Sequence, residues 1–152
     1  MTSTRVAREG DEDELAELRA RLWPEGTFKE HRSEVQLFIQ SGMNGTLPGA
    51  VLVAVDANKR LAGFIEVGLR SHADGCDTAR PVGFVEGWFV REQMRGLGIG
   101  KQLMEAAEEW SRAQNCREIA SDALVENMAS RQAHNALGFE VVDLCVHFRK
   151  QL

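Results

Sequence analysis

The sequence predicts an α+β (mixed α/β) fold in which helices cover both faces of one sheet. Three observations carry this. Segments with helical and with strand periodicity alternate, giving the order β-α-α-β-β-β-α-β-α-β. The run Val82-Gly83-Phe84-Val85-Glu86-Gly87-Trp88-Phe89-Val90 reads as a buried strand. Directly after it, Ile99, Leu103, Ala107, Trp110 and Ala113 share one face of a helix, with Lys101, Glu105, Glu108 and Arg112 elsewhere on it. With no internal repeat and no linker, residues 1–152 are expected to form a single domain.

The elements follow in order. Residues 4–7 alternate weakly as a first strand. Asp11 with Glu14 gives a capping-box signal ahead of Leu15, Leu18 and Leu22, and Pro24 ends that helix. Thr27 with Glu30 repeats the device before Val35, Phe38 and Ile39, and Ser41-Gly42 is the stop. Residues 50–55 and 61–69 are apolar strands joined by the hairpin-like loop Asp56-Ala57-Asn58-Lys59-Arg60. A loop over residues 71–80 leads into the strand at 82–90, followed by the helix at 99–113. A strand at 118–123, a helix at 129–137 and a final extended stretch at 139–149 complete the chain.

At 152 residues, 43% of them hydrophobic, the chain is long enough to bury a sizeable core. Its net charge of −5 argues against nucleic-acid and anionic-membrane partners and suits a cationic small molecule. No apolar run reaches the roughly 18 residues of a membrane span. Cys76, Cys116 and Cys145 form no C-x-x-C pair and the first residues lack an apolar signal core, so a cytoplasmic chain without disulfides is expected. His72, Asp74, Cys76 and Asp77 share a glycine-containing loop without a second ligand pair, so no metal is expected.

The run Arg95-Gly96-Leu97-Gly98-Ile99-Gly100-Lys101 lies between the strand at 82–90 and the helix at 99–113. Glycines at alternate positions let main-chain N–H groups converge on an anion where a helix begins. A Walker A loop would need Gly at Arg95 and Ser or Thr at Gln102, and a dinucleotide fingerprint would need G-x-G-x-x-G; neither is met. The spelling R-x-x-G-x-G resembles the acetyl-CoA pyrophosphate loop of the GNAT superfamily of N-acetyltransferases. Asn127-Met128-Ala129-Ser130 and His134-Asn135-Ala136-Leu137-Gly138-Phe139 resemble that superfamily's second signature. The element order is similar over essentially the whole chain. The resemblance implies a mostly antiparallel sheet splayed between the fourth and fifth predicted strands, with the pantetheine arm of acetyl-CoA in the wedge.

By that resemblance Arg95, Gly96, Leu97, Gly98, Ile99, Gly100 and Lys101 would hold the diphosphate. Trp88, Phe89 and Val90 would pair with pantetheine and polarise the thioester carbonyl through their backbone, and Asn127 would contact the arm besides capping its helix. An aliphatic amine is protonated at neutral pH, so the reaction needs a group that binds a cation and removes its proton. Glu86, a charge inside an apolar strand, is the candidate, the alternatives being an ion pair with an arginine in the sheet or a side chain that faces solvent. The superfamily's usual tyrosine acid is missing, since the chain contains no tyrosine; His134 stands at its position and would protonate the leaving thiolate instead.

Leu22-Trp23-Pro24, Phe84 to Trp88, Ala120-Ser121-Asp122-Ala123 and His134 to Phe139 are similar to the aminoglycoside 6'-N-acetyltransferases within that superfamily. This resemblance implies that Glu86, Asp122 and Asp143 bind ammonium groups, that Trp23 packs on a sugar ring, and that the chain is a homodimer. Where the family commonly has an aromatic residue in the acceptor loop, Ser71, His72 and Ala73 stand here, and His72 or Glu66 would have to compensate. The reading is direct acetyl transfer in a ternary complex with an aminoglycoside. Two others stay open: a GNAT enzyme for a polyamine or protein amine, and a non-catalytic acetyl-CoA sensor.

Overall fold

A computed structural model describes all 152 residues. The elements run β1 (Ser3–Val6), α1 (Glu12–Leu22), α2 (Phe28–Ser41), β2 (Met43–Asn44), β3 (Leu47–Val55), β4 (Leu61–Arg70), β5 (Val82–Val90), a 3-10 turn (Glu92–Met94), α3 (Ile99–Ala113), β6 (Ile119–Ser121) and α4 (Met128–Ala136). The strands form one sheet in the order β1-β3-β4-β5-β6, with β2 paired to β3. All pairs are antiparallel except β5 with β6, which is parallel. The short β2 was not foreseen, so the fourth and fifth predicted strands are β5 and β6.

Helices lie on both faces because the central strands β3, β4 and β5 bury both of their side-chain rows. On one face Leu15 and Leu18 of α1 and Val35 of α2 pack on Val51, Val53, Leu61, Phe64 and Phe89. On the other, Ile99, Leu103, Met104 and Ala107 of α3 cover Leu52, Ala54, Ile65, Val67 and Val85. Fully burying side chains of this size contributes about 1.5–3 kcal/mol each. Continuous apolar runs such as Ala50 to Ala54 are the signature of this double coverage.

The Thr27–Glu30 capping box forms at the start of α2, and Gly42 ends that helix in the left-handed conformation (φ 63°). The Asp11–Glu14 box does not form. Asp11 already has helical backbone angles, so its carboxylate turns back and accepts hydrogen bonds from Arg5 (2.7 and 3.0 Å) and from the Arg8 amide (2.8 Å). Glu14 accepts from the Leu61 amide at 3.1 Å and pairs with Arg91 at 3.4 Å. These carboxylates tie α1 to β1 and β4 instead of capping it.

Burial pushes the Asp11 carboxyl upward, but Arg5 and the Arg8 amide outweigh it and hold the group below its usual range. A folded-state pKa below the unfolded one gives stability that is present above about pH 3.9 and is lost as pH falls through the folded value. Asp11→Ala is expected to lower the unfolding free energy by about 2 kcal/mol at neutral pH. Denaturant titrations from pH 7 to 2 should show that deficit shrinking once Asp11 protonates in the parent; a constant deficit would contradict this role.

The predicted final strand at 139–149 is absent: residues 139–152 form no helix or strand. A strand needs an edge to pair with, and within the single chain this segment meets none. Its contact with the acceptor loop is at Val142, which packs so close to Gly75 that a Cβ there would lie 2.6 Å away. Val142, Leu144, Val146 and Phe148 alternate as a strand would, yet stand 61 to 93% exposed.

Candidate active site

The wedge comes from two features of β5. Its parallel ladder to β6 covers only Gly83 to Val85, opposite Ile119 to Ser121, and then the strands part. Beyond Val85 the edge of β5 that faces β6 has no ladder partner, down to Val90. On the β4 side Glu66 pairs with Gly87 and Val67 with Val85, so Glu86 is the extra residue of a β-bulge. A bulge interrupts the ladder and re-aims the side chain it carries. Glu86 is thereby turned out of the sheet at the point where the strands diverge.

At the far end of the wedge, Gly96 and Gly98 adopt φ of +79° and +80°. A Cβ on either would meet no protein atom within 4 Å, so backbone conformation, and not crowding, demands glycine there. Gly98 begins α3 without a side-chain cap. The amides from Gly96 to Lys101 find no acceptor within the protein. Unpartnered amides at a helix N-terminus form an anion cradle. Trp88 braces it, donating from Nε1 to the Gly100 carbonyl at 3.2 Å. Arg95 is turned back, with Nε on the Val90 carbonyl at 2.9 Å and its guanidinium over Phe89. Lys101 is exposed and pairs with Glu105 at 3.8 Å.

On the other face an open cleft of about 470 Å³ is lined by Arg19, Trp23, His31, Glu34, Asn44 and Glu86. Trp23 follows α1, its ring lying over Gly87 so closely that a Cβ there would be 2.4 Å away, and edge-on to Phe64 at 6.2 Å. His31 fixes the bend, Nε2 meeting the Trp23 carbonyl at 2.9 Å. Arg19 is buried and donates to both Glu66 and Glu34. Burial pushes the Glu66 carboxyl up, and Arg19 pulls it the other way. Glu66 is buried against Arg19 and does not line the cleft, and His72 is exposed against the Ser71 hydroxyl (3.0 Å), so neither replaces the aromatic residue of the acceptor loop.

Glu86 is held by Arg70, whose Nη2 lies 3.0 Å from each carboxylate oxygen and whose Nε lies 3.1 Å from Oε1. The charge in the apolar strand thus has the arginine partner its setting requires. His134 lies between Trp88 and Phe139, edge to face with both at 5.3 and 5.2 Å. Its Nδ1 faces the Ser130 carbonyl at 2.7 Å and so carries hydrogen; Nε2 meets the Ser121 hydroxyl at 2.8 Å. Asn127 caps α4, its side-chain oxygen accepting from the Ser130 amide at 3.1 Å.

Of the expected acceptor residues, Trp23 and Glu86 share the cleft. Asp122 and Asp143 do not line it; Asp122 is exposed just past β6, and Asp143 accepts from the neighbouring Leu144 amide at 2.8 Å. Cys76, the one thiol near the acceptor loop, is pushed up by burial and by Glu118, which disfavours a thiolate nucleophile. Sequence reasoning missed Arg19, Arg70, His31, Glu34, Asn44 and the bulge. Arg70 was discoverable: it closes the strand before the acceptor loop, on the same side of β4 as Glu66. No group of three or more His, Cys, Asp or Glu side chains converges as metal ligands, and no helix is long and apolar enough to cross a membrane.

Residues 13–139 match the Acetyltransferase (GNAT) family. The chain is 42% identical over 135 residues to the aminoglycoside N(6')-acetyltransferase type 1 of Klebsiella aerogenes, covering 89% of this chain and 87% of that one. It is 38% identical to the enzyme of the same name from Stenotrophomonas maltophilia, covering 97 and 92%. A solved structure of AAC(6')-Iy in complex with the bisubstrate analogue CoA-S-monomethyl-acetylneamine superposes with a TM-score of 0.88 at 31% identity, over 100 and 99% of the two chains. The chain thus belongs to the GNAT family.

Proposed function

We propose that the chain transfers the acetyl group of acetyl-CoA to the 6'-amine of an aminoglycoside by direct attack in a ternary complex. The observation that carries this is the placement of a bulged carboxylate, Glu86, at the junction between an amide-lined wedge and an acidic cleft walled by Trp23. Relatives named for this reaction at 42 and 38% identity support it.

Acetyl-CoA supplies the activated acyl group. The amides of Gly96 to Lys101 bind its diphosphate, the wedge-side edge of Trp88, Phe89 and Val90 receives the pantetheine and polarises the thioester carbonyl, and Asn127 contacts the arm from α4. Glu86 takes a proton from the acceptor ammonium and passes it to solvent, the freed nitrogen bonds to the acetyl carbon, and as the carbon–sulfur bond breaks the nitrogen gives its second proton to the same carboxylate. His134, protonated, donates from Nε2 to Ser121, whose own hydroxyl proton passes to the thiolate. A covalent acetyl-enzyme is unnecessary.

The same reading places the chain in the cytoplasm and makes it a homodimer. The exposed alternating residues Val142, Leu144, Val146 and Phe148 suit burial against a second copy, and Asp143 of each chain then serves the other's pocket. A monomer by sedimentation would contradict that part. The acetylated molecule is read by following thiol release with kanamycin, spermidine and a lysine peptide. The reading expects kcat/KM for kanamycin to exceed the others by at least about 100-fold. A larger value for either non-sugar amine would assign the enzyme to that acceptor, and tight coenzyme binding without turnover would make it a sensor.

A further inference from the structure

Arg70 already occupies the position at Glu86 that an incoming ammonium must take. Its guanidinium reaches both carboxylate oxygens (3.0 Å each) and lies 3.5 Å from the centre of the Phe84 ring, flat against β5. Phe84 is the platform that carries Arg70 toward the bulge; Gly68, its cross-strand partner, is covered by the Asn44 side chain, and Gly87 leaves the far side to Trp23. The Arg70 side chain is 45% exposed and that of Glu86, on the cleft wall, 27%, so the pair lies at the surface and can part without unpacking the core.

We propose that Arg70 is a built-in competitor for the acceptor site: it is a cation that holds Glu86 between turnovers and must be displaced by the acceptor's ammonium. The inference rests on the aminoglycoside reading. An acceptor with one amine gains at Glu86 only what Arg70 gives up. One with several ammonium groups also meets Glu34, a carboxylate in the same cleft that is paired with Arg19 and whose side chain is 62% exposed. The cost of displacing Arg70 is common to every acceptor, and one with several ammonium groups has more contacts with which to offset it. The displaced guanidinium swings to solvent, its neighbours on the loop from Ser71 to Ala79 being exposed or half-buried.

The test is calorimetric binding and steady-state kinetics of the full chain with kanamycin, for the parent, Arg70→Ala and Arg70→Lys, each also in a Glu86→Gln background. An exposed ion pair of this kind sets the scale of the effect. Arg70→Ala should lower the kanamycin Kd and KM about two- to fivefold, with kcat and the acetyl-CoA KM unchanged. Arg70→Lys should fall between Ala and the parent. In the Glu86→Gln background Arg70→Ala should give no gain in binding. If Arg70→Ala leaves the kanamycin KM unchanged or raises it while the parent acetylates kanamycin, this proposal is overturned and the acceptor reading stands. A drop in kcat rescued by Lys would overturn it too, making Arg70 a positioning group for Glu86. A parent that neither binds nor acetylates kanamycin ends both.

Discussion

Replacing Glu86 with glutamine is expected to reduce kcat/KM for aminoglycosides by about 10²- to 10⁴-fold, the span ascribed to a positioned general base. The amide keeps the shape of the side chain but can neither take a proton from an ammonium nor pair with its charge. The fold should barely register the change, because the Arg70–Glu86 pair is partly exposed and such pairs contribute at most about 1 kcal/mol. Acetyl-CoA affinity should stay within about twofold, since the proposed diphosphate cradle consists of main-chain amides at the other end of β5. Steady-state kinetics beside a thermal melt and a coenzyme titration separates these quantities. A variant with undiminished turnover would remove Glu86 from the mechanism.

Gly98→Val is expected to act on the coenzyme alone at first. The left-handed backbone at Gly98 (φ +80°) costs a β-branched residue roughly 1–2 kcal/mol, and relief by rotation would turn the amides of Gly98 and Ile99 away from the diphosphate they are proposed to bind. The Cβ itself would have open space, so the core of α3 against β3, β4 and β5 should remain intact. The acetyl-CoA Kd should rise at least about tenfold, equivalent to 1.4 kcal/mol, and kcat at saturating coenzyme should fall far less. Gly98→Ala should behave as a milder version of the same variant. Unchanged coenzyme affinity in the valine variant would contradict the cradle.

What could be read from the sequence divides along physical lines. The elements set by local chemistry were legible: the buried run at Val82–Val90, the amphipathic α3 at Ile99–Ala113, and the Thr27–Glu30 box with its Gly42 stop. So were the glycine loop and the odd charge at Glu86, because each is a residue type in a setting that its chemistry needs to have explained. What escaped depended on long-range partners. Asp11 and Glu14 have the spelling of a capping box, but Arg5, Leu61 and Arg91 compete for their oxygens and win. The bulge at Glu86 is a mismatch between two strands and leaves its only trace in Gly87. The last stretch has a strand's alternation but is not brought to any strand edge of its own chain, so local pattern alone could not decide its state.

The same division explains the acceptor residues. Trp23 and Glu86 converge because one sheet face and one helix end hold them: Gly87 beneath the indole, His31 on the Trp23 carbonyl and the bulge beneath the carboxylate. Asp122 and Asp143 lie on segments whose position depends on what packs against them, and neither lines the cleft of its own chain. The cleft was instead furnished by residues without a motif, Arg19, Glu34 and Asn44, which the packing of α1, α2 and β2 on the sheet brings to one place.

A crystal structure of the full chain with acetyl-CoA and kanamycin tests the central claim most directly. The account predicts the diphosphate on the amides of Gly96 to Lys101, pantetheine between β5 and β6, and the 6'-nitrogen within hydrogen-bond distance of Glu86 with Arg70 displaced from it. Coenzyme bound outside that wedge, or an acceptor amine seated away from Glu86, would contradict it.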